Sequence, residues 1–291
     1  MKIRKPIVAG QFYPGQHDTC VDEINLYIDE AVLTSQLPQS IAGGIVPHAG
    51  WAFSGALAMM VFSAIQQQHG KVNTFVIFGA AHSFTGSLPM LYQSGIWNTP
   101  LGDIAIDEEL GKVVIQSGTA VGDFDAHSLE HSIEVQVPFI QYMFPGAKIL
   151  PIIVPPAEQA IALGQAVGEI IKAQQDKKIV CIGSTDLTHY GPRYGFTVMG
   201  TGPQGIKWAT EVNDQSFIDL ALELDPQAIL SNAAENRNAC GPGAAAATIA
   251  AAKKLGRTRG VLLAHTNSNE VMLKKMAATS EESVGYAAII F

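Results

Sequence analysis

The sequence has few charged residues. Asp, Glu, Lys and Arg make up 15% of the 291 residues, against about 25% in an average soluble domain. Hydrophobic residues reach 47%, which excludes an intrinsically disordered chain, because such chains combine low hydrophobicity with high net charge. A net charge of −8 provides no basic excess of the kind that nucleic acid or an anionic membrane surface attracts. We therefore expect neither nucleic acid nor a membrane as a partner.

Long apolar runs and paired cysteines are also missing. The best apolar run, from Trp51 to Ile65, is shorter than the roughly 18 residues that a membrane-spanning helix needs, so it predicts a buried helix of a soluble protein. The basic start of the chain carries too short an apolar patch for a signal peptide. The cysteines, Cys20, Cys181 and Cys240, are odd in number and widely spaced, which gives no disulfide framework and favours a reducing, cytoplasmic location.

Continuously apolar segments alternate with helical patterns along the chain. Such segments are typical of strands that are covered on both faces, as in a parallel sheet. No linker or repeat divides the sequence, so we predict one domain over residues 1–291, of the α/β class, with a central, largely parallel or mixed sheet flanked by helices. The predicted strands are 44–47, 74–79, 148–154, 178–183, 260–265 and 284–291, with a hairpin over 90–106. The predicted helices are 53–68, 107–116, 132–144, 158–175, 205–224 and 243–255.

Chemically active side chains follow three of the predicted strands. His48 follows the first strand, His82 the second, and Asp186 follows the strand 178–183, with His189 three residues further on. In open α/β sheets, ligands bind beyond the carboxyl ends of the strands. Each of these residues taken alone is well explained as a loop cap or a satisfied core group. Taken together, they predict one shared site for metal binding or proton transfer.

Cys240 is a further candidate because it directly precedes the alanine-rich predicted helix 243–255. The amino terminus of a helix carries a partial positive charge, which we expect to lower the pKa of the thiol. A thiolate is both a nucleophile and a soft metal ligand. The alternative is a small buried residue at a helix cap, and both interpretations stay open. Cys181 lies inside an apolar strand and is expected to fill the core.

A polar segment between residues 125 and 139 contains His131 and Glu134, which are three residues apart. On a helix this spacing places both side chains on one face. The pair is consistent with a metal or acid–base site. It is equally consistent with a polar helix start, in which the negative charge of Glu134 stabilises the first turn.

Two other features receive structural interpretations. Residues 200–205 fit the pattern G-x-G-x-x-G, but only the short segment 196–198 precedes them as a strand candidate, so we predict a loop before a helix rather than a nucleotide site. His265 ends the predicted strand 260–265 without other polar candidates nearby. We expect it in the core or at its rim.

Short motifs in a fixed order extend over nearly the whole chain. They are Arg4-Lys5-Pro6 with 8–14, Pro47-His48-Ala49-Gly50-Trp51 with Ser54-Gly55, Gly79 with His82, 130–139, 184–191, Cys240-Gly241 and Val284-Gly285-Tyr286. On these motifs the chain resembles the Memo family (mediator of cell motility), which includes the prokaryotic proteins called AmmeMemoRadiSam system protein B. Ala80-Ala81 stand where relatives often carry Pro-Ser, and Ser54 stands where some members have Cys. Neither difference removes a candidate ligand.

The resemblance implies a fold similar to that of the class III extradiol dioxygenases, which are non-haem iron enzymes with two histidines and one carboxylate as ligands. It implies His48, His82 and Cys240 as metal ligands, with Cys240 in place of the carboxylate. Asp186 and His189 match further pocket residues of the family. The family is linked to iron or copper binding, to redox chemistry and, in animals, to phosphopeptide-like partners.

This ligand set suits iron(II) first, with copper and zinc as alternatives. We expect Asp186 to hold His189 in one tautomer, and His189 and His131 to handle protons near neutral pH. Three function classes follow. The first is a metal-dependent redox enzyme of the dioxygenase type, the second a non-catalytic module that binds a metal, a small molecule or a peptide, and the third a Cys/His nucleophilic enzyme without metal. The oligomeric state is not predicted.

Overall fold

The computed structural model describes residues 2–33, 37–83 and 86–291. Its helices are α1 (His17–Glu30), α2 (Trp51–His69), α3 (Glu108–Gln116), α4 (Val137–Met143), α5 (Glu158–Ala173), α6 (Pro203–Trp208), α7 (Gln215–Leu222), α8 (Pro226–Asn236), α9 (Pro242–Lys254) and α10 (Ser268–Met276). Its strands are β1 (Ile3–Arg4), β2 (Gly43–Val46), β3 (Thr74–Gly79), β4 (Met90–Leu91), β5 (Ile96–Thr99), β6 (Gly102–Ala105), β7 (Val121–Gly122), β8 (Lys148–Ile153), β9 (Ile179–Ser184), β10 (His189–Tyr190), β11 (Val261–Asn267) and β12 (Ser283–Ile290).

The main sheet is mixed, with a parallel centre. Its strands follow the order β10-β12-β2-β9-β3-β8-β4-β7, and β11 pairs with the outer part of the sheet through β12. The central strands β2, β9, β3 and β8 run parallel to one another, whereas β12 is antiparallel to β2 and β4 is antiparallel to β8. A small second sheet has the order β1-β5-β6. The predicted α/β class with a mixed, helix-flanked sheet is confirmed.

The parallel centre explains why distant residues meet. Every side chain of β2, β3 and β9 is buried, as expected for strands with both faces covered. Because these strands are parallel neighbours, their carboxyl ends lie at one edge of the sheet. His48, His82 and Asp186 follow β2, β3 and β9 at that edge.

Close helix packing covers one face of this centre. The alanine-rich helix α9 is buried along nearly its whole length and packs against α5 and β9. A Cβ atom on Gly164 of α5 would lie 2.1 Å from the carbonyl oxygen of Ala247. Glycine and alanine therefore allow the two helices to approach, and α9 places Cys240, which precedes it, against the sheet.

Three predicted elements were wrong in extent. The hairpin consists of β5 and β6 alone, because β4 pairs with β8 and β7 instead. The predicted helix 132–144 begins with a 3₁₀ turn, Glu134–Gln136, and becomes α-helical only at α4, whose second residue is Pro138. Proline is accepted in the first turn of a helix and not in its interior. The predicted helix 205–224 is divided into α6 and α7 by a π-helical segment, Ala209–Asp214.

Helices α1, α8 and α10 were not predicted. Polar residues interrupt each of them, so no apolar run in the sequence marks it. Asp225 was nevertheless a signal for α8, because its side chain accepts a hydrogen bond from the nitrogen of Ala228 and Pro226 follows it at the helix start. Among the described residues, none of the helices combines the length and the apolar character needed to cross a membrane.

A buried ion pair fastens the amino-terminal segment to the rest of the chain. Arg4 Nη1 donates to Glu134 Oε2 at 2.7 Å, and both side chains are almost fully buried. The same carboxylate accepts hydrogen bonds from the backbone nitrogens of Ile7 and Val8 and from the hydroxyl of Tyr13. Glu134 is therefore a structural anchor.

His127 makes the stability of the fold depend on pH. It is buried, and its Nε2 contacts the carbonyl oxygen of Met90 at 3.0 Å. Burial is the main reason why its pKa is lowered from 6.5 to about 3. Because the pKa is higher in the unfolded chain, the unfolded state binds more protons between these two pH values. We expect the free energy of unfolding to fall as the pH drops through this window, by at most about 1.4 kcal/mol per pH unit from this residue.

Urea unfolding of the wild type and of His127→Gln across this pH window checks the prediction. The glutamine amide can still donate to Met90 but does not titrate, so the variant should lose stability less steeply than the wild type. Parallel pH profiles of the two proteins would show that His127 does not carry the effect.

Candidate functional site

A cavity of about 470 Å³ opens at the carboxyl edge of the parallel strands. His48, His82, His131, Asp186 and His189 all line it. Each of them is a predicted site residue, and the structure brings them together. The loops that follow β2, β3 and β9 supply most of these side chains, as strand-end positions in a parallel sheet predict.

His48 is the central residue of the cluster and is almost completely buried. Its Nδ1 contacts the hydroxyl of Ser184 at 3.1 Å. That hydroxyl donates its one proton to the carbonyl oxygen of Ser132 at 2.8 Å and also accepts from Gln136 Nε2. His48 Nδ1 must therefore be the donor in its contact with Ser184, and Nε2 carries no proton and is an acceptor. Burial, with the neighbouring His82 second, keeps the pKa of His48 well below its usual value.

Glu130 orients His82 in a similar way. Its carboxylate lies 3.0 Å from His82 Nδ1 and also accepts the backbone N–H groups of His82 and Ser132. Nε2 of His82 is thereby left free, which is the usual role of a carboxylate behind a ligating histidine. Burial disfavours the charged imidazole, but the hydrogen bond and the charge of Glu130 outweigh it and raise the pKa of His82.

His131 reaches the cavity as well. Its ring stacks on that of His82, with centroids 4.9 Å apart and an angle of 11° between the planes. One ligand atom from each of His48, His82 and His131 lies within 4.8 Å of the other two. Burial, followed by the proximity of His82, lowers the pKa of His131. Glu134, its predicted companion, does not belong to this site and binds Arg4 instead.

Cys240 lies on the other side of His48. Its Sγ is 3.1 Å from His48 Nε2 and accepts the backbone N–H of Asp186 at 3.3 Å. His48, Asp186 and Cys240 form a second group whose ligand atoms lie within 4.8 Å of one another. His48 belongs to both groups, His82 to the first and Cys240 to the second. As placed, His82 and Cys240 do not share one 4.8 Å group with each other.

The prediction that the thiol of Cys240 has a lowered pKa was wrong. Burial, and next the carboxylate of Asp186, raise the pKa of Cys240. These effects outweigh the partial positive charge at the start of α9, because the side chain is desolvated. In the absence of a cation the thiol is protonated at neutral pH and donates to His48 Nε2.

The predicted pairing of Asp186 with His189 was also wrong. His189 Nδ1 contacts the carbonyl oxygen of Leu187 at 3.0 Å, so a backbone group orients this ring. Asp186 Oδ1 instead accepts the backbone N–H groups of His48 and Ala49, at 2.7 and 3.2 Å. Asp186 therefore joins the loop after β9 to the loop after β2. Burial is the main cause of its raised pKa.

The remaining candidates lie away from the cavity, as expected. Cys181 is buried within β9, and His265 lies at the rim of the core, where Nε2 contacts Asp214 Oδ2 at 3.1 Å. Residues 200–205 form a loop that runs into α6. Ser184, the partner of His48, and Gln136, which donates to Ser184, were not predicted. A serine at the end of a buried strand, two residues before Asp186, was the available signal for Ser184.

Fold and cavity together define an α/β protein with a histidine-rich pocket at the carboxyl edge of its sheet. The family model for Memo-like protein matches residues 4–290. A MEMO1 family protein of Thermococcus onnurineus is 35% identical over 297 residues, covering 99% of each chain. A MEMO1 family protein of Pyrobaculum arsenaticum is 33% identical over 300 residues, covering 100% of this chain and 99% of that one.

This chain belongs to the Memo-like family, and the resemblance that its motifs indicate is confirmed. A solved structure of an uncharacterized protein from Escherichia coli K12 overlaps it with a TM-score of 0.45 and 12% identity. The overlap covers 73% of this chain and 85% of that one.

Proposed function

We propose that the cavity binds a transition-metal ion through His48 and His82 and that the protein is a metal-dependent redox enzyme of the extradiol dioxygenase type. The observation that carries the proposal is the convergence of three imidazoles, with ligand atoms of His48, His82 and His131 within 4.8 Å of one another. His48 and His82 each have Nδ1 engaged by another group. Their Nε2 atoms are therefore the ones available to a metal.

The donor chemistry fits a transition metal. Imidazole nitrogens and a thiol sulfur suit iron(II), copper and zinc, and we propose iron(II) first. A metal bound by three protein ligands would act as a redox centre and Lewis acid with open coordination positions. His131 and Cys240 both offer a third ligand beside His48. His131 already lies within reach of His82, whereas Cys240, the ligand that the family resemblance implies, has to approach it.

The other residues of the cavity orient the histidine rings or accept protons. Ser184 and Glu130 hold the rings of His48 and His82 in the tautomer that exposes Nε2. The contact of His189 Nδ1 with a carbonyl oxygen leaves its Nε2 as a proton acceptor on a residue that lines the cavity. We assign His189 as the group that takes a proton from a bound ligand, with Asp186 positioning the loop of His48.

Metal analysis of protein purified without oxygen tests the proposal. We expect stoichiometric metal in the wild type and its loss in His82→Ala. If Cys240→Ala loses the metal and His131→Ala keeps it, the third ligand is the sulfur of Cys240. If His131→Ala loses the metal and Cys240→Ala keeps it, the third ligand is the imidazole of His131. Cys181→Ala serves as the control for a thiol outside the site. Oxygen uptake with catechols then separates a redox enzyme from a non-catalytic metal-binding module.

The short distance between Cys240 Sγ and His48 Nε2, 3.1 Å, favours a second candidate, a Cys/His nucleophilic enzyme. Such an enzyme needs a reactive thiolate, whereas burial raises the pKa of Cys240. Iodoacetamide labelling of metal-free protein distinguishes the candidates. Rapid alkylation of Cys240 near neutral pH supports the nucleophile, and slow alkylation supports the metal site.

Replacing Glu130 by glutamine should weaken metal binding without removing a ligand. The amide donates as well as accepts, so His82 Nδ1 loses the partner that fixes its tautomer, and the metal affinity should fall about 10- to 100-fold. Competition with a chromophoric chelator measures the effect, and Glu109→Gln, at an exposed glutamate, is the matched control. Equal affinity in Glu130→Gln and the wild type would show that Glu130 does not support the metal site.

A further inference from the structure

Four aromatic side chains line the cavity beside its histidines. Phe12, Phe53, Tyr194 and Tyr286 line it. The ring of Phe12 meets that of His131 edge to face, with centroids 4.9 Å apart, and Tyr194 packs edge to face on His189 at 5.1 Å. Aromatic side chains prefer stacked and edge-to-face neighbours. A cavity built in this way favours a flat aromatic ring over a flexible polar molecule.

Tyr286 brings a hydroxyl to the wall of this cavity. Its side chain is 98% buried, since only 2% is exposed, and the pairing of β12 with β11 fixes its backbone at the position opposite Thr266. Within residues 2–33, 37–83 and 86–291, the hydroxyl of Tyr286 makes no hydrogen bond. This oxygen is not among the enclosed polar atoms of the protein, so it is open to the cavity that Tyr286 lines. A ligand oxygen in the cavity can therefore accept a hydrogen bond from it.

Arg193 supplies a cation at the rim of the same cavity. Its backbone nitrogen donates to Glu282, but among the described residues its guanidinium takes part in no ion pair or hydrogen bond. An anionic group can bind at the rim, where Arg193 contacts a carboxylate with two N–H groups.

We propose that the cavity takes a small aromatic carboxylate, with its ring between Phe12 and Tyr194, its carboxylate at Arg193 and a second oxygen accepting from the hydroxyl of Tyr286. The proposal names the class of ligand that the cavity binds. It rests on the proposed function only because both concern the same cavity. Binding needs no metal, so the two can fail independently. Tyr286 and Arg193 are ligand-contacting residues that the metal site does not use.

Salicylate is a suitable probe because it carries a carboxylate and a second oxygen on one ring and fluoresces. We titrate chelator-treated wild-type protein and expect a dissociation constant below about 1 mM, which is within reach of a ligand of this size. Tyr286→Phe and Arg193→Gln should each raise the dissociation constant about tenfold, because each removes a hydrogen bond to a charged or polar oxygen. Tyr142→Phe and Arg259→Gln, outside the cavity, are the controls and should bind as the wild type does.

Salicylamide distinguishes charge from shape. We expect the wild type to bind it about tenfold more weakly than salicylate, and Arg193→Gln to bind the two alike. Absence of salicylate binding by the wild type overturns the proposal, as do unchanged dissociation constants in Tyr286→Phe and Arg193→Gln. If untreated protein purified without oxygen contains no metal but the chelator-treated protein binds salicylate, the metal site is rejected and this proposal stands. Metal binding without salicylate binding would reject the aromatic carboxylate as the ligand and leave the metal site standing.

Discussion

Replacing His48 by alanine is expected to abolish stoichiometric metal binding. His48 is the one residue common to both groups of ligand atoms that meet in the cavity, so its loss breaks the group with His82 and His131 and the group with Asp186 and Cys240. Removal of either His131 or Cys240 leaves the other as a third ligand beside His48 and His82, whereas neither group is complete without His48. We therefore expect this substitution to have the largest effect on metal content.

Elemental analysis of His48→Ala after anaerobic purification measures the effect. His17→Ala is the matched control, because His17 is exposed on α1 and lies outside the cavity. Circular dichroism verifies that the variant is folded. Full metal content in His48→Ala would mean that the metal is bound elsewhere.

Replacing Arg4 by alanine should lower the free energy of unfolding by about 3–5 kcal/mol. The substitution leaves the buried carboxylate of Glu134 without its partner, and an uncompensated buried charge costs about this much. Arg4 also donates to the carbonyl oxygens of His127 and Glu130, and its guanidinium stacks on Trp97 at 4.1 Å. The expected loss therefore includes hydrogen bonds and packing as well as charge.

Urea unfolding of the wild type, Arg4→Ala, Glu134→Gln and the double variant measures this effect. The double variant should lose less than the sum of the two single losses, because neither partner is then left charged and alone. Lys172→Ala, at an exposed ion pair, is the control and should change stability by no more than about 1 kcal/mol. A loss of no more than about 1 kcal/mol in Arg4→Ala, as in this control, would contradict the anchoring role of Arg4.

The strands and the strand-end residues could be predicted because they follow from simple patterns. Buried parallel strands are continuously apolar, and their carboxyl ends share one edge, so His48, His82 and Asp186 were expected to converge before any coordinates were known. Cys240 was found in the same way, from its place before α9. Local sequence contains enough information for these positions, since each depends on one strand or one helix.

The partners of these residues could not be predicted, because they depend on three-dimensional packing. Glu130 orients His82 from 48 residues away, and Ser184 orients His48 from 136 residues away. The same reason explains the wrong pairing of Asp186 with His189. Nearness in sequence suggested a contact, whereas the folded backbone directs the carboxylate to the loop after β2. The predicted pKa of the Cys240 thiol was wrong because burial cannot be inferred from the start of a helix alone.

Anomalous diffraction from crystals of metal-loaded protein shows whether His48 and His82 bind the metal. We expect one strong peak in the cavity, about 2.1 Å from Nε2 of both His48 and His82, with His131 or Cys240 as the third ligand. A peak that lies away from these two nitrogens, or the absence of any peak in the cavity, would contradict the proposed metal site.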